Sequence, residues 1–218
     1  MKKFELTTEF ITNFLGTKLF RIKALVEFGK VEKGELGGFV EKEENLDHDG
    51  DAWVSGNAWV YGDARVYGDA EVYGDAEVSG NAEVYGDARV YGDAEVYGDA
   101  EVSGNARVYG DARVYGDARV YGDAWVSGNA WVSGNAEVSG DQMYATVKGF
   151  GSEYRNTTFF ITKDGNVCVN CGCFSGTLEQ FREKVEETHK DTKYAKEYLL
   201  IADLMEMHFK EELEKIKK

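Results

Sequence analysis

The chain has 218 residues, 43% of them hydrophobic, with no proline, three cysteines and a formal net charge of −15. This is enough apolar material for a core. Three clustered cysteines are too few for a disulfide framework, and the acidity argues against direct nucleic-acid binding. No stretch reads as a secretory signal or a membrane span, so a reducing, cytoplasmic setting is expected, with no membrane partner.

Residues 1–49 carry 10 acids and 8 bases and are nearly neutral. Leu19, Arg21 and Lys23 alternate with Phe20, Ile22 and Ala24, which is a strand period, and "GELGGFV" reads as a tight turn into another strand. The segment is expected to be an N-terminal β cap for the repeat that follows it.

From Gly50 to Ser139 one phrase, Gly-(Asp/Asn)-Ala-X-Val-(Tyr/Ser), recurs fifteen times without an insertion. Ala and Val lie two apart, so an extended backbone puts them on one face, with X and Tyr/Ser on the other. Gly-Asp and Gly-Asn are turn dipeptides. A fifteen-stranded meander would leave its Ala/Val face uncovered, whereas a coil curls that face inward on itself. A six-residue period is the mark of a parallel β-helix. Three copies per turn give an 18-residue coil, hence five coils over residues 50–141. The phrase resembles the hexapeptide repeat of left-handed β-helices, and that resemblance alone supplies the handedness. Such an open-ended stack needs covering against edge-to-edge growth.

Residues 18 apart are then neighbours. Each column of X residues holds one adjacent opposite-charge pair: Glu71 with Arg89, Glu95 with Arg113 and Glu101 with Arg119. Tyr is followed by Gly-Asp in nine of nine cases, and Ser by Gly-Asn in five of six. Stacked Asp residues repel one another, and stacked Asn residues are expected to form amide ladders. Trp53 and Trp59 lie at one end of the prism and Trp125 and Trp131 at the other. They read either as contact residues or as packing for the flanking segments. Residues 50–141 hold 17 acids against 5 arginines, a net −12, so the repeat is the acidic part of the chain.

Residues 142–218 are expected to form a small ββαα unit that caps the prism or associates with a second copy. "TTFFIT-KDG-NVCVNC" reads as a hairpin. Thr177 and Gln180 have capping-box spacing ahead of a helix lined by Leu178, Phe181 and Val185. A second helix is expected from about Thr192 to the end, with Tyr194, Tyr198, Ile201, Met205, Phe209, Leu213 and Ile216 at helical spacing.

The order of the whole chain, an "FRIKAL…GELGGFVEKEENL" lead, hexapeptide coils and a "CGCFSGTLEQF…THKD" tail, resembles small phage and prophage β-helix proteins. The resemblance implies a bacterial host cell. Members of that group are often labelled transferases on the strength of the coils, which is an analogy of fold and not of chemistry.

Little points to catalysis. The acyltransferases built on such coils need a histidine base, and the three histidines, His48, His189 and His208, all lie outside residues 50–141. His48 reads first as a surface residue and only second as a base. Cys168, Cys171 and Cys173, with His189 as a fourth ligand, could be offered to zinc, but the plain reading is structural cysteine. No cofactor or metal is expected. The sequence therefore favours a non-catalytic protein presenting a rigid acidic surface to a protein partner, a basic one being the best fit and a decoy for DNA the sharpest version. Trp53, Trp59, Trp125, Trp131, Glu71, Glu77, Glu83, Asp87, Asp93 and Asp99 are the expected contact residues. An acyltransferase and a virion spacer are the alternatives, and a dimer or trimer is left open.

Overall fold

The computed structural model describes residues 2–216. Strands β1 (Phe4–Thr12), β2 (Lys18–Ala24) and β3 (Leu36–Val40) precede fifteen short coil strands, β4 to β18, which run from Trp53–Val54 to Glu137–Val138. Strands β19 (Tyr144–Val147), β20 (Thr157–Ile161), β21 (Val167–Cys171) and β22 (Phe174–Thr177) follow, then helices α1 (Leu178–His189) and α2 (Lys193–Ile216). No helix among the described residues is long and apolar enough to cross a membrane.

The repeat winds as a parallel β-solenoid with three walls. Partners 18 residues apart pair in register: Glu71 beside Arg89, Glu95 beside Arg113 and Glu101 beside Arg119, one pair in each wall. Every repeat Ala and Val is buried along the axis, at 0–1% exposure. The axis is thus filled by methyl groups alone, which suits a core too narrow for larger side chains.

Most of the coil strands are two residues long, shorter than the four the phrase suggests; only Glu71–Gly74, Arg89–Gly92 and Arg107–Gly110 reach four. The chain must turn at each glycine, and this limits the pleated run. Hydrogen bonding continues around the corners all the same, as in Asn57 N–H to Gly74 O at 2.8 Å and Asp63 N–H to Gly80 O at 2.8 Å. Glycine at the corner is required twice over. Gly86 has φ +70°, and a Cβ on it would sit 3.1 Å from the backbone N of Gly104 in the next coil.

Coil-type packing also extends below Gly50. β3 pairs in parallel with Trp59–Val60, and Leu46 bridges Val66, so Val40 and Leu46 stand beneath the valines of two walls. β1 and β2 add an antiparallel pair to the outer edge of the same sheet. The lower ends of the walls leave backbone carbonyls unpaired, and buried donors fill them. Lys3 Nζ donates to Gly50 O (3.1 Å) and Ala52 O (2.9 Å), and Asn45 Nδ2 donates to Gly62 O (3.1 Å) and Ala64 O (2.8 Å). Burial pushes the Lys3 ammonium below the usual lysine value, while the aspartates around it, Asp47 first, pull it back up.

The upper end is closed differently. Trp125 N–H donates to Asp141 Oδ1 (2.9 Å), and Trp125 O accepts from Tyr144 Oη–H. Trp131 N–H donates to Thr158 Oγ1 (3.0 Å), and Trp131 O accepts from Asn170 Nδ2–H (2.8 Å). In the third wall Ala136 bridges Thr162. Both ends of the solenoid are therefore blocked by specific polar partners, which removes the edges that would otherwise stack on another copy.

The expected hairpin, β20–β21, forms the centre of a four-stranded antiparallel sheet flanked by β19 and β22. Thr177 and Gln180 form the capping box at the start of α1. Phe159, Phe181, Tyr198, Ile201, Met205 and Phe209 are buried where both helices cover the sheet. The last two residues of the expected second helix, 217–218, lie outside the described residues.

Candidate interaction surface

The three walls carry nearly balanced charge. Of the acids in residues 50–141, six are glutamates at X, and all five arginines stand at X as well. The expected pairs form: Arg89 Nη2 to Glu71 Oε1 at 3.6 Å, Arg113 Nη2 to Glu95 Oε1 at 2.9 Å and Arg119 Nη2 to Glu101 Oε1 at 3.1 Å. Glutamates also accept from tyrosines of the coil below, Glu101 on its second oxygen. Tyr67 Oη lies 2.8 Å from Glu83 Oε2 and Tyr85 Oη 3.2 Å from Glu101 Oε2, and Tyr61 donates to Glu77 in the same way.

Tyrosine rings 18 residues apart stack face to face. Tyr73, Tyr91 and Tyr109 form a run with centroids 4.8 and 5.0 Å apart, and Tyr67–Tyr85 and Tyr97–Tyr115 form pairs at 4.9 and 5.0 Å. Serine interrupts these ladders in a regular way. Ser55, Ser79, Ser103 and Ser127 recur every 24 residues on an 18-residue coil, so each occurrence moves on by one wall.

Asn57, Asn81, Asn105 and Asn129 follow the same 24-residue rhythm, which corrects the expectation of amide ladders. No Asn of the series has an Asn above or below it at its corner. Each Nδ2 donates to an aspartate instead: Asn57 to Asp75 (3.1 Å), Asn81 to Asp99 (2.8 Å), Asn105 to Asp123 (2.9 Å) and Asn129 to Asp111 (3.2 Å). The remaining 11 acids of residues 50–141 are aspartates, all at corners and all exposed. With six Glu against five Arg on the walls, almost the whole net charge of the repeat stands along its three edges.

The expected contact residues divide accordingly. Asp87, Asp93 and Asp99 are on the edges and exposed. Glu71, Glu77 and Glu83 are half-buried and already engaged, Glu71 by Arg89 and Lys30 (3.6 Å each), and Glu77 and Glu83 by tyrosines. Trp53 is 5% exposed, wedged against Phe4 and Phe28 of the cap, and is no contact residue. Trp59 packs on the Leu19, Phe39 and Tyr61 cluster. Of the upper pair, Trp125 is 43% exposed with the Arg107 guanidinium 4.6 Å from its ring centre, and Trp131 is half-buried with Arg113 at 5.4 Å. A cleft of about 310 Å³ lies against Trp131, between the last coil and the Tyr154–Asn156 loop.

His48 is half-buried, with both ring nitrogens engaged. Nδ1 accepts from the Lys3 backbone N–H at 3.2 Å, and Nε2 lies 2.6 Å from Glu43 Oε1. Hydrogen bonds from His48 and then Lys2 hold the Glu43 carboxyl below its ordinary value. Neither ring nitrogen is left to take a substrate proton. The alternation of β21 puts Cys168 on the face opposite Cys171, whose Sγ lies 3.2 Å from Thr157 Oγ1 and 3.8 Å from Tyr198 Oη. Cys173 is exposed, and His189 packs its ring 5.7 Å from that of Tyr198. Among the described residues no group of three or more His, Cys, Asp or Glu is gathered to hold a metal ion.

Within the repeat, residues 100–116 and 112–128 match the family described as the YdcK beta-solenoid repeat, in two windows offset by twelve residues, or two hexads. The likeness therefore covers part of the coil. A comparison with curated proteins finds no match.

Proposed function

We propose that this chain is a non-catalytic binding scaffold of the phage or prophage type, which offers its acidic edges to a basic protein partner in the bacterial cytoplasm. In the sharpest form of this reading it stands in for duplex DNA. The β-solenoid supports the scaffold part: register, wall pairing and both end closures make a stiff column whose surface side chains keep fixed spacing. The observation that carries the rest is the separation of charge. Arginine is used up on the walls against glutamates and aromatic rings, while 11 exposed aspartates stand along three edges. Five coils at about 4.8 Å make a column roughly 24 Å tall. A net −12 over that height is about one charge per 2 Å, against about one per 1.7 Å in duplex DNA.

The test is a titration of the full chain against a panel of basic, duplex-binding bacterial nucleases, with duplex DNA as competitor and salt as the variable. Binding should displace DNA, weaken steeply as salt rises, and fall further when Asp87, Asp93 and Asp99 are changed together to Asn. Absence of binding to every member of the panel at low ionic strength would end the reading.

A further inference from the structure

We infer that α2 pairs two copies of this chain across a two-fold axis, helix against antiparallel helix. The inner face of α2, with Tyr198, Ile201, Ala202, Met205 and Phe209, is buried on its own sheet and α1. At 3.6 residues per turn the opposite side carries Leu200, Leu204 and Met207. They are 69, 49 and 67% exposed, an apolar stripe that none of the described residues of its own chain covers.

The ends of the stripe identify the occupant. Toward the N-terminus the same side carries Lys193 and Lys196, and toward the C-terminus Glu211 and Glu214, all exposed. Lys193 with Glu214, Lys196 with Glu211 and Leu200 with Met207 share one midpoint, between Asp203 and Leu204. A second α2 laid antiparallel about that midpoint brings Lys193 to Glu214, Lys196 to Glu211 and Leu200 to Met207, with Leu204 against Leu204 near the axis. Each of the three unlike pairs occurs twice, and Leu204 meets its own copy once, as a self-complementary two-fold interface demands. Apolar centre and charged flanks also match the arrangement of paired helices.

Two further observations suit this reading. Arg182 of α1 holds Asp203 and Glu206 at 2.8 and 2.6 Å, drawing these acids to the side and away from the stripe. Among the described residues, Lys196, Glu211 and Glu214 form no ion pair within the chain, and Lys193 reaches only Glu197, at 4.0 Å. A parallel or three-fold arrangement would bring like charges of the flanks together.

Sedimentation equilibrium of the full chain over a wide concentration range tests the pairing. A monomer–dimer equilibrium is expected, with Leu204→Glu leaving monomer. Lys196→Glu and Glu211→Lys should each weaken the dimer about tenfold or more, because each change acts twice. The double variant Lys196→Glu/Glu211→Lys should recover most of the loss, since both cross pairs are then reversed. All these positions are exposed, and unchanged far-UV circular dichroism checks that each variant folds. Four results would each overturn the inference: a wild-type monomer at all concentrations, a trimer, a dimer indifferent to Leu204→Glu, or a double variant no tighter than the singles.

Discussion

Arg113 stands one coil above Glu95 in the same wall, its Nη2 2.9 Å from the carboxylate Oε1. Both side chains are more than a third exposed, so solvent screens the pair, and it contributes only about 0.2–1 kcal/mol. In the native register Glu95 stands between Glu77 below and Arg113 above, so Arg113 offsets a like-charge neighbour in the same wall. Reversing Arg113→Glu puts two carboxylates side by side and removes the cation over Trp131. A loss of about 1 kcal/mol is expected in urea unfolding, and Glu95→Arg/Arg113→Glu together should restore most of it. Equal stability of the single and double variants would mean that the pair does nothing.

The corner glycines separate two costs that usually come together. Gly86 and Gly134 both have positive φ, at +70° and +63°, but a Cβ at Gly86 meets Gly104 N at 3.1 Å while one at Gly134 meets nothing within 4 Å. Gly134→Ala should therefore cost only the left-handed backbone, about 1–2 kcal/mol. Gly86→Ala adds a backbone clash that can be relieved only by parting two coils. It should be the worse of the two by about 1–3 kcal/mol in thermal or urea unfolding.

Register was readable from the sequence because the hexad fixes it. Three corners make 18 residues, and Glu71–Arg89, Glu95–Arg113 and Glu101–Arg119 follow by counting. The Asn–Asp pairs were equally open to counting, since 24 does not divide by 18, yet stacking arguments drawn from uniform columns point to amide ladders instead. Val40 and Leu46 are spaced six apart like the valines above them, a signal in the sequence that the coil starts before Gly50. β1 is hidden because its pairing with β2 shifts between Leu6 and Phe10, which breaks the alternation. Lys3 was not legible at all. A lysine far from the repeat in sequence is explained only by the carbonyls of Gly50 and Ala52, and these are orphaned by where the first wall ends.

The tyrosines of the coil make the fold sensitive to alkali. Burial, then the hydrogen bond to Glu77, pushes the Tyr61 hydroxyl up to about 12, and burial with the bond to Glu83 moves Tyr67 further still. Tyr73 and Tyr97 are raised as well, by burial first and then by the tyrosine stacked on each. An acid that keeps its proton longer in the folded state stabilises the fold fully below its unfolded value of 10.0 and loses that contribution as pH climbs through the folded value. Between pH 10 and about 12, stability should fall by about 1.4 kcal/mol per pH unit for Tyr61, with Tyr67, Tyr73 and Tyr97 acting in the same direction. Absorbance titration at the phenolate band should show ladder tyrosines ionising together with loss of circular dichroism. Smooth ionisation near 10 with the fold intact would contradict the assignment.

Asn45 and Asn81 use the same amide for opposite purposes. Asn45 is fully buried; its Nδ2 donates to Gly62 O and Ala64 O and its Oδ1 accepts from Lys42 N–H at 2.9 Å. Asn81 is exposed and makes one bond to Asp99. Replacing Asn45 with Ala strands two carbonyls and an N–H where water has little access, which should cost about 2–4 kcal/mol. Replacing Asn81 with Ala returns an exposed carboxylate to solvent and should change stability by less than about 0.5 kcal/mol. Because each coil is held only by its neighbours, the Asn45 loss should appear first at the lower end. Hydrogen exchange should quicken for the amides of residues 60–66 before those of residues 96–102. Uniform quickening along the column would mean that Asn45 acts on the whole fold rather than as a local plug.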